Sequence, residues 1–209
     1  ASRNVMDRWI LAALADLVAF VRAEMAAYRL YTVVPRLVHF IEQLTNWYIK
    51  LNRARLKGAG GADDARAALS TLFTVLYDSC KALSPFTPFT AEFVFQRLRA
   101  LAPPAEQVDS VHYLMFPEAR EAARDDALLR SVRVLQEVVV LARQARDRRK
   151  APLKRPLRAL TVVSDDAQVR ADVQQMARFI RDEVNVRDVR VADDSPDVYL
   201  RADLDARAL

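Results

Sequence analysis

Between residues 37 and 57 the chain places apolar and polar side chains on opposite sides of one helix. At about 100° per residue, Leu37, Phe40, Ile41, Leu44, Tyr48 and Leu51 fall on one face, and Asn46, Lys50, Arg53 and Lys57 on the other. Such a helix must bury its apolar side against other elements, which commits this part of the chain to a packed helical body. The other side offers amide and cationic groups. Asn, Lys and Arg on one exposed face can sit on a phosphate backbone and still reach base edges, so the pattern points toward RNA.

The same periodicity runs through most of the first 150 residues. Trp9, Ile10, Ala13, Leu14, Leu17, Val21 and Tyr28 mark a helix over residues 4–30. Thr32 and Pro35 supply an N-cap and a first-turn proline for the second helix, which is expected to reach about Lys57. All three glycines, Gly58, Gly60 and Gly61, lie in the next loop. A third helix, capped by Asp63, carries Leu69, Leu72, Phe73, Leu76, Cys80 and Leu83 as its core stripe. Two prolines, Pro85 and Pro88, break it before a fourth helix over 88–101. An irregular connection then leads to a fifth helix, from Asp125 or Asp126 to about Lys150. The expected architecture is mainly α, an antiparallel helix bundle whose apolar stripes are used up by the bundle itself. Beyond Pro152 the period changes. Residues 157–164, 186–192 and 198–202 alternate like strands and 166–183 reads as a helix, a small α/β appendage. The expected division is 1–150 and 151–209.

Charge is distributed unevenly. Residues 143–158 hold eight cations against the single acid Asp147, and residues 50–57 hold four cations and no acid, although the whole chain is only +5. A mildly acidic body with two basic patches suits a polyanion. The buried stripe of the fifth helix, Leu128, Val132, Leu135 and Val139, continues into Arg143, Arg146 and Lys150. Such a helix end either projects into solvent or is covered by an anionic partner. The 52% hydrophobic content suffices for a core and excludes a disordered tail. The one cysteine, Cys80, cannot make an internal disulfide and reads as a small core hydrophobe, which suits a reducing, cytosolic setting. No apolar run approaches the length needed to span a membrane. The chain opens inside a helical pattern, as a piece of a longer one would.

The candidate RNA-binding residues are Asn46, Trp47, Lys50, Asn52, Arg53, Arg55 and Lys57 in the first patch, and Arg143, Arg146, Arg149, Lys150, Lys154 and Arg155 in the second. Each has a plainer reading. Trp47 could stack on a base or pack the bundle, and Tyr48 lies on the core stripe. Arg55 extends that stripe and could pair with an acid of a neighbouring helix; Asn52 could bond between helices or to RNA. His39 and His112 lack partners at ligand spacing, so no metal site is expected, and His112 is expected to order the connection before the fifth helix. The pairs Asp63-Asp64, Asp125-Asp126 and Asp165-Asp166 precede helices and read as caps rather than catalytic acids.

Three stretches in order, Asn46-Trp47-Tyr48 with Asn52-Arg53-x-Arg55, Leu83-Ser84-Pro85-Phe86-Thr87-Pro88-Phe89 with Glu92, and Ser110-Val111-His112 with Phe116-Pro117, resemble the anticodon-binding domain of class I aminoacyl-tRNA synthetases. The relatives in question are the enzymes for isoleucine, valine, leucine and methionine. Leu56-Lys57-Gly58, Arg149-Lys150-x-Pro152-Leu153-Lys154-x-Pro156-Leu157 and Val184-Asn185-Val186-Arg187-x-Val189 look most like the cytosolic, eukaryotic-type isoleucyl branch. The resemblance implies a tRNA partner, held by the anticodon stem-loop of an isoleucine tRNA. It also implies catalytic and editing domains elsewhere in a parent chain, where ATP and magnesium would act. The His-x-Gly-His and Lys-Met-Ser-Lys-Ser signatures of that catalytic half are absent, so these residues are not expected to activate an amino acid. A valyl or leucyl relative remains open, as does a non-catalytic helical adaptor with basic patches; the used-up apolar stripes speak against the adaptor.

Overall fold

The structure, a computed structural model, describes residues 4–194. Seven α-helices and a two-stranded parallel sheet make it a mainly α fold with a small α/β part. It divides into two compact units, residues 1–125 and 126–209. This grouping differs from the expected break after residue 150. The long helix 126–148 packs on the helix that follows it in the chain, and compactness therefore assigns it to the second unit.

In the first unit, α1 (Val5–Ala26) starts at Asn4, whose side chain accepts from the Met6 and Asp7 amides, the bond a helix N-terminus needs. Its buried stripe includes Met6, Ile10, Leu17 and Val21. Tyr28 does not join it. It lies beyond the helix at φ 58 with its ring 91% exposed. The second helix, α2 (Leu30–Glu42), begins earlier than its sequence suggests, and Thr32 is not its cap. The Thr32 hydroxyl instead shares its one proton between Glu24, 2.6 Å away, and the Arg29 carbonyl at 2.7 Å. Arg29 also bonds to Glu24, so one carboxylate closes the turn between α1 and α2.

After Glu42 the helix widens into a π-helical segment, Gln43–Ile49, and breaks at Asn52 before the four-residue α3 (Arg53–Leu56). A single unbroken helix from 35 to 57 is therefore not what forms. Leu37, Phe40, Leu44 and Tyr48 are buried as their spacing predicts, whereas Ile41 is 41% exposed. Tyr31, Val34 and Val38 also face solvent, so the bundle does not use up every apolar stripe.

The fourth helix, α4 (Ala62–Leu83), is preceded by Gly61 at φ 90; Asp63 sits inside its first turn rather than at its cap. Leu69 of the expected stripe is half exposed, and the residues buried include Ala68, Thr71, Val75, Tyr77, Cys80 and Ala82. The stripe is broader and rotated because α4 packs on α1 along one side and on α5 (Pro88–Leu98) along another. The second contact is aromatic. Tyr77 lies 5.4 Å from the Phe73 ring centroid and 5.9 Å from that of Phe95, over Cys80, Ala91 and Val111. Burial pushes the Cys80 thiol up to about 11, so it is an inert core residue. Pro88 sits in the first turn of α5, where its missing N–H costs nothing. Glu92 pins the following connection by accepting from the Ser110 hydroxyl and the Val111 amide, both at 2.9 Å. The ordering group is thus Glu92, not the exposed His112.

The second unit is α6 (Asp126–Arg148), β1 (Leu157–Val163), α7 (Ala167–Val184) and β2 (Val186–Ala192). The strands pair in parallel with Leu157 opposite Val186 and Val163 opposite Ala192, and the intervening helix is the crossover a parallel pair requires. Asp166 caps α7 by accepting from the Gln168 amide at 2.7 Å. Of the other acids read as caps, Asp64 lies inside the first turn of α4 and is held by Arg55, and Asp125 pairs with Arg8. Buried Asp172 of α7 accepts from Ser131 and Arg130 of α6, at 2.7 and 3.0 Å. The strand expected at 198–202 lies outside the described residues.

The Glu24 junction gives a pH test. Hydrogen bonds from Arg29 and Thr32 hold its carboxyl down at about 2 against an ordinary 4.5. A folded-state value below the unfolded one stabilises fully above about pH 4.5 and is lost as pH falls toward 2. The gap in urea midpoint between the parent chain and Glu24→Gln should therefore be full at pH 7 and close near pH 2.

Candidate nucleic-acid interface

The candidate residues of the first patch separate into an outward and an inward set. Asn46, Lys50, Arg53 and Lys57 are exposed, and Trp47 is half-buried. Asn52 and Arg55 turn inward. Asn52 is 2% exposed; its side-chain amide donates to the Tyr48 carbonyl at 2.8 Å, and its oxygen accepts from Arg55 Nη1 at 2.7 Å. Arg55 Nη1 and Nη2 reach the two oxygens of Asp7 at 3.0 and 3.1 Å. Its Nε and Nη2 reach Asp64 at 2.9 and 2.6 Å. The Tyr48 hydroxyl donates to the same Asp7 carboxylate at 2.8 Å.

Five groups from α1, the π-helical segment, α3 and α4 thus share one polar cluster under the outward face. Asp7 is wholly buried, and an unpaired carboxylate there would be costly. Arg55 offsets that cost. The hydrogen bond to Asp64 raises the Arg55 guanidinium above its ordinary range, and the same bond lowers the Asp64 carboxyl. Burial, and then the bond to Asp7, raises the Tyr48 phenol well above its usual value. Asn52 and Arg55 therefore have their polar atoms committed within the protein. Asp7 is not singled out by the sequence, and Asp64 reads there only as a helix cap. The signal was present in Asp7, an acid between Met6 and Ile10 on an otherwise apolar stripe.

The second patch divides in the same way. Arg146 is 5% exposed and its guanidinium is spent on main-chain carbonyls: Val184 at 2.9 Å, Asn185 at 3.0 Å and Arg155 at 2.8 Å. The cationic extension of the α6 stripe is neither projected into solvent nor covered by a foreign anion at this position. It is capped by the carbonyl dipoles that end α7 and by the loop before β1. Arg143 is half-buried and pairs with Glu183 of α7. Lys150 takes the left-handed conformation at φ 52 just beyond α6, and Asn185 takes it just beyond α7. The Asn185 side chain donates to the Leu153 carbonyl at 2.9 Å. This framework leaves Arg149, Lys150, Lys154 and Arg155 with exposed side chains on one connection.

What the arrangement offers chemically is a set of exposed cations and amides. Among the described residues, no three His, Cys, Asp or Glu side chains gather where they could hold a metal ion. No helix of the described residues is long and apolar enough to cross a membrane.

Comparison with known proteins bears on what the cations meet. Residues 7–162 match the family described as the anticodon-binding domain of tRNA ligase. The whole chain is 48% identical over 210 residues to the probable cytoplasmic isoleucine–tRNA ligase of Dictyostelium discoideum, covering 20% of that protein. It is 43% identical over 214 residues to the cytoplasmic isoleucine–tRNA ligase of Mus musculus, covering 17%. Over 199 residues, 92% of the chain, it is 42% identical to the cytoplasmic isoleucine–tRNA ligase of Saccharomyces cerevisiae, covering 19%. The chain spans about a fifth of the length of these relatives.

The buried Arg146 makes a testable distinction from its exposed neighbours. Arg146→Met keeps much of the volume but removes the hydrogen bonds to the Val184, Asn185 and Arg155 carbonyls, and should cost roughly 2–4 kcal/mol in urea unfolding. Lys154→Met, with an exposed side chain, should stay within about 0.5 kcal/mol of the parent.

Proposed function

Because the chain belongs to the family of anticodon-binding domains of tRNA ligases, we propose that it is the part of an isoleucine–tRNA ligase that holds isoleucine tRNA by its anticodon stem-loop. The observation that carries this reading is the separation of each basic patch into inward arginines bonded to the protein and exposed cations around them. Arg55 and Arg146 are spent on the protein, while Lys50, Arg53, Lys57, Arg149, Lys150, Lys154 and Arg155 present their side chains outward. Cations held in this way can track a phosphate backbone.

The division of labour follows from chemistry. Lysines and arginines on phosphates supply affinity and register without sequence information. Asn46 carries an amide that can pair with a base edge, and half-buried Trp47 offers part of an indole face for stacking, worth ~1–3 kcal/mol per base. Tyr48, fully buried and bonded to Asp7, takes no part in stacking. Neutralising six phosphates of single-stranded RNA would give a log–log salt slope of about −4. The setting would be the cytoplasm, as in the names of the relatives. ATP and magnesium would bind outside these residues.

The reading is tested by a filter-binding titration with isoleucine tRNA, the same tRNA carrying a replaced anticodon, and valine tRNA, each at two salt concentrations. Preference for the intact isoleucine anticodon is expected. Equal, salt-sensitive binding to all three would restrict the chain to backbone grip and sink the claim of anticodon recognition. Lys50→Ala with Arg53→Ala should weaken isoleucine tRNA binding roughly tenfold at unchanged melting temperature. Lys154→Ala with Arg155→Ala should weaken all tRNAs alike and flatten the slope by about 1.4.

A further inference from the structure

We infer that Arg55 is a positioning residue for the RNA face: its guanidinium fixes the short helix α3 so that Arg53 and Lys57 are presented together on the outer side. The inference rests on the RNA-binding reading above. α3 is four residues long and buries no side chain. Before it, Asn52 leaves the helical conformation at φ −99 and ψ 9. After it come Gly58 and Gly61 at φ 89 and 90, in a loop whose residues are exposed. Apolar burial therefore does not hold this corner, and the glycines give it no stiffness.

The ion-pair cluster supplies what burial does not. Arg55 directs Nε to Asp64, Nη1 to Asp7 and Asn52, and Nη2 to Asp7 and Asp64, which uses its five N–H donors in one plane. Those acceptors belong to the first turns of α1 and α4 and to the residue that opens α3. A planar fork bonded on three sides sets the rotation of α3 as well as its distance from the bundle. Arg53 and Lys57 lie two residues either side of Arg55, about 200° round the helix from it, and so point away from the bundle. Ordering two long cationic side chains and a glycine loop during RNA binding would weaken affinity, and a corner already locked avoids that loss. Lysine keeps the charge but has a point-like ammonium with three donors, which cannot serve this set of acceptors.

The test is a double-mutant cycle on the 209-residue chain, read by isoleucine tRNA titration below every variant's melting temperature and by thermal melts. Arg55→Lys alone should weaken binding about tenfold. In a chain that also carries Arg53→Ala and Lys57→Ala it should weaken binding no further, while lowering the melting temperature equally in both backgrounds. Loss of melting temperature with unchanged affinity would mean a purely structural Arg55. The same fold-loss of affinity in both backgrounds would mean that Arg55 touches RNA itself. Either result overturns the inference and leaves the RNA-binding reading intact. Failure of Arg53→Ala with Lys57→Ala to weaken tRNA binding would instead sink the RNA face at this corner, and the inference with it. If Arg55→Lys does not fold, Asp64→Asn takes its place with the same expected pattern, because it leaves Asp7 and Asn52 on the guanidinium.

Discussion

A guanidinium held between two carboxylates organises the first unit of this chain. Asp7 has no access to solvent, and one buried carboxylate without a partner would offset a large share of a domain's net stability. Its oxygens are satisfied by Arg55 and by the Tyr48 hydroxyl, and Arg55 is satisfied in turn by Asp64 and Asn52. Hydrogen bonds of this kind are directional where apolar contact is not. They fix the register of α1, the π-helical segment, α3 and α4 at one point, whereas a Leu or Ile in the same place would tolerate a slide.

The π-helical segment belongs to the same arrangement. The helix widens between Gln43 and Ile49 and breaks at Asn52, and the two faces that the spacing predicts persist across both changes. Tyr48, Asn52 and Arg55 then follow one another on the inner side, and Asn46, Lys50, Arg53 and Lys57 are left outside. The motif that resembles a family signature thus has two physical jobs in alternating positions. Its inner residues close a buried polar cluster, and its outer residues carry the groups proposed to meet RNA.

The second unit repeats the principle with a different acceptor. Arg146 draws its partners from peptide carbonyls at the end of α7 and in the loop before β1. A density of positive charge in a sequence therefore overstates the charge offered to a polyanion. Arg55 in the first patch, and Arg143 and Arg146 in the second, are bonded to the protein itself.

Much of this was legible in the residues alone. A helical period over the first 150 residues fixed the class, because stripes such as Leu128, Val132, Leu135 and Val139 can be buried only on a helix. The alternation at 157–164 and 186–192 around a helical stretch marked two strands and a helix, although not their parallel pairing, and the motif order marked the family. Tertiary structure alone decided the rest. Periodicity reports which face is apolar but not which neighbour covers it, so it mistook Tyr28 and Leu69 for core and left Tyr31 and Val38 unaccounted for. Nor does it register a local change of helix type, such as the π-helical segment Gln43–Ile49 and the break at Asn52. Whether an arginine faces solvent or a buried carboxylate depends on residues far away in the chain: Asp7 lies 48 positions from Arg55, and Val184 lies 38 from Arg146. Charge is written into the sequence residue by residue, but its pairing exists only after the chain has folded.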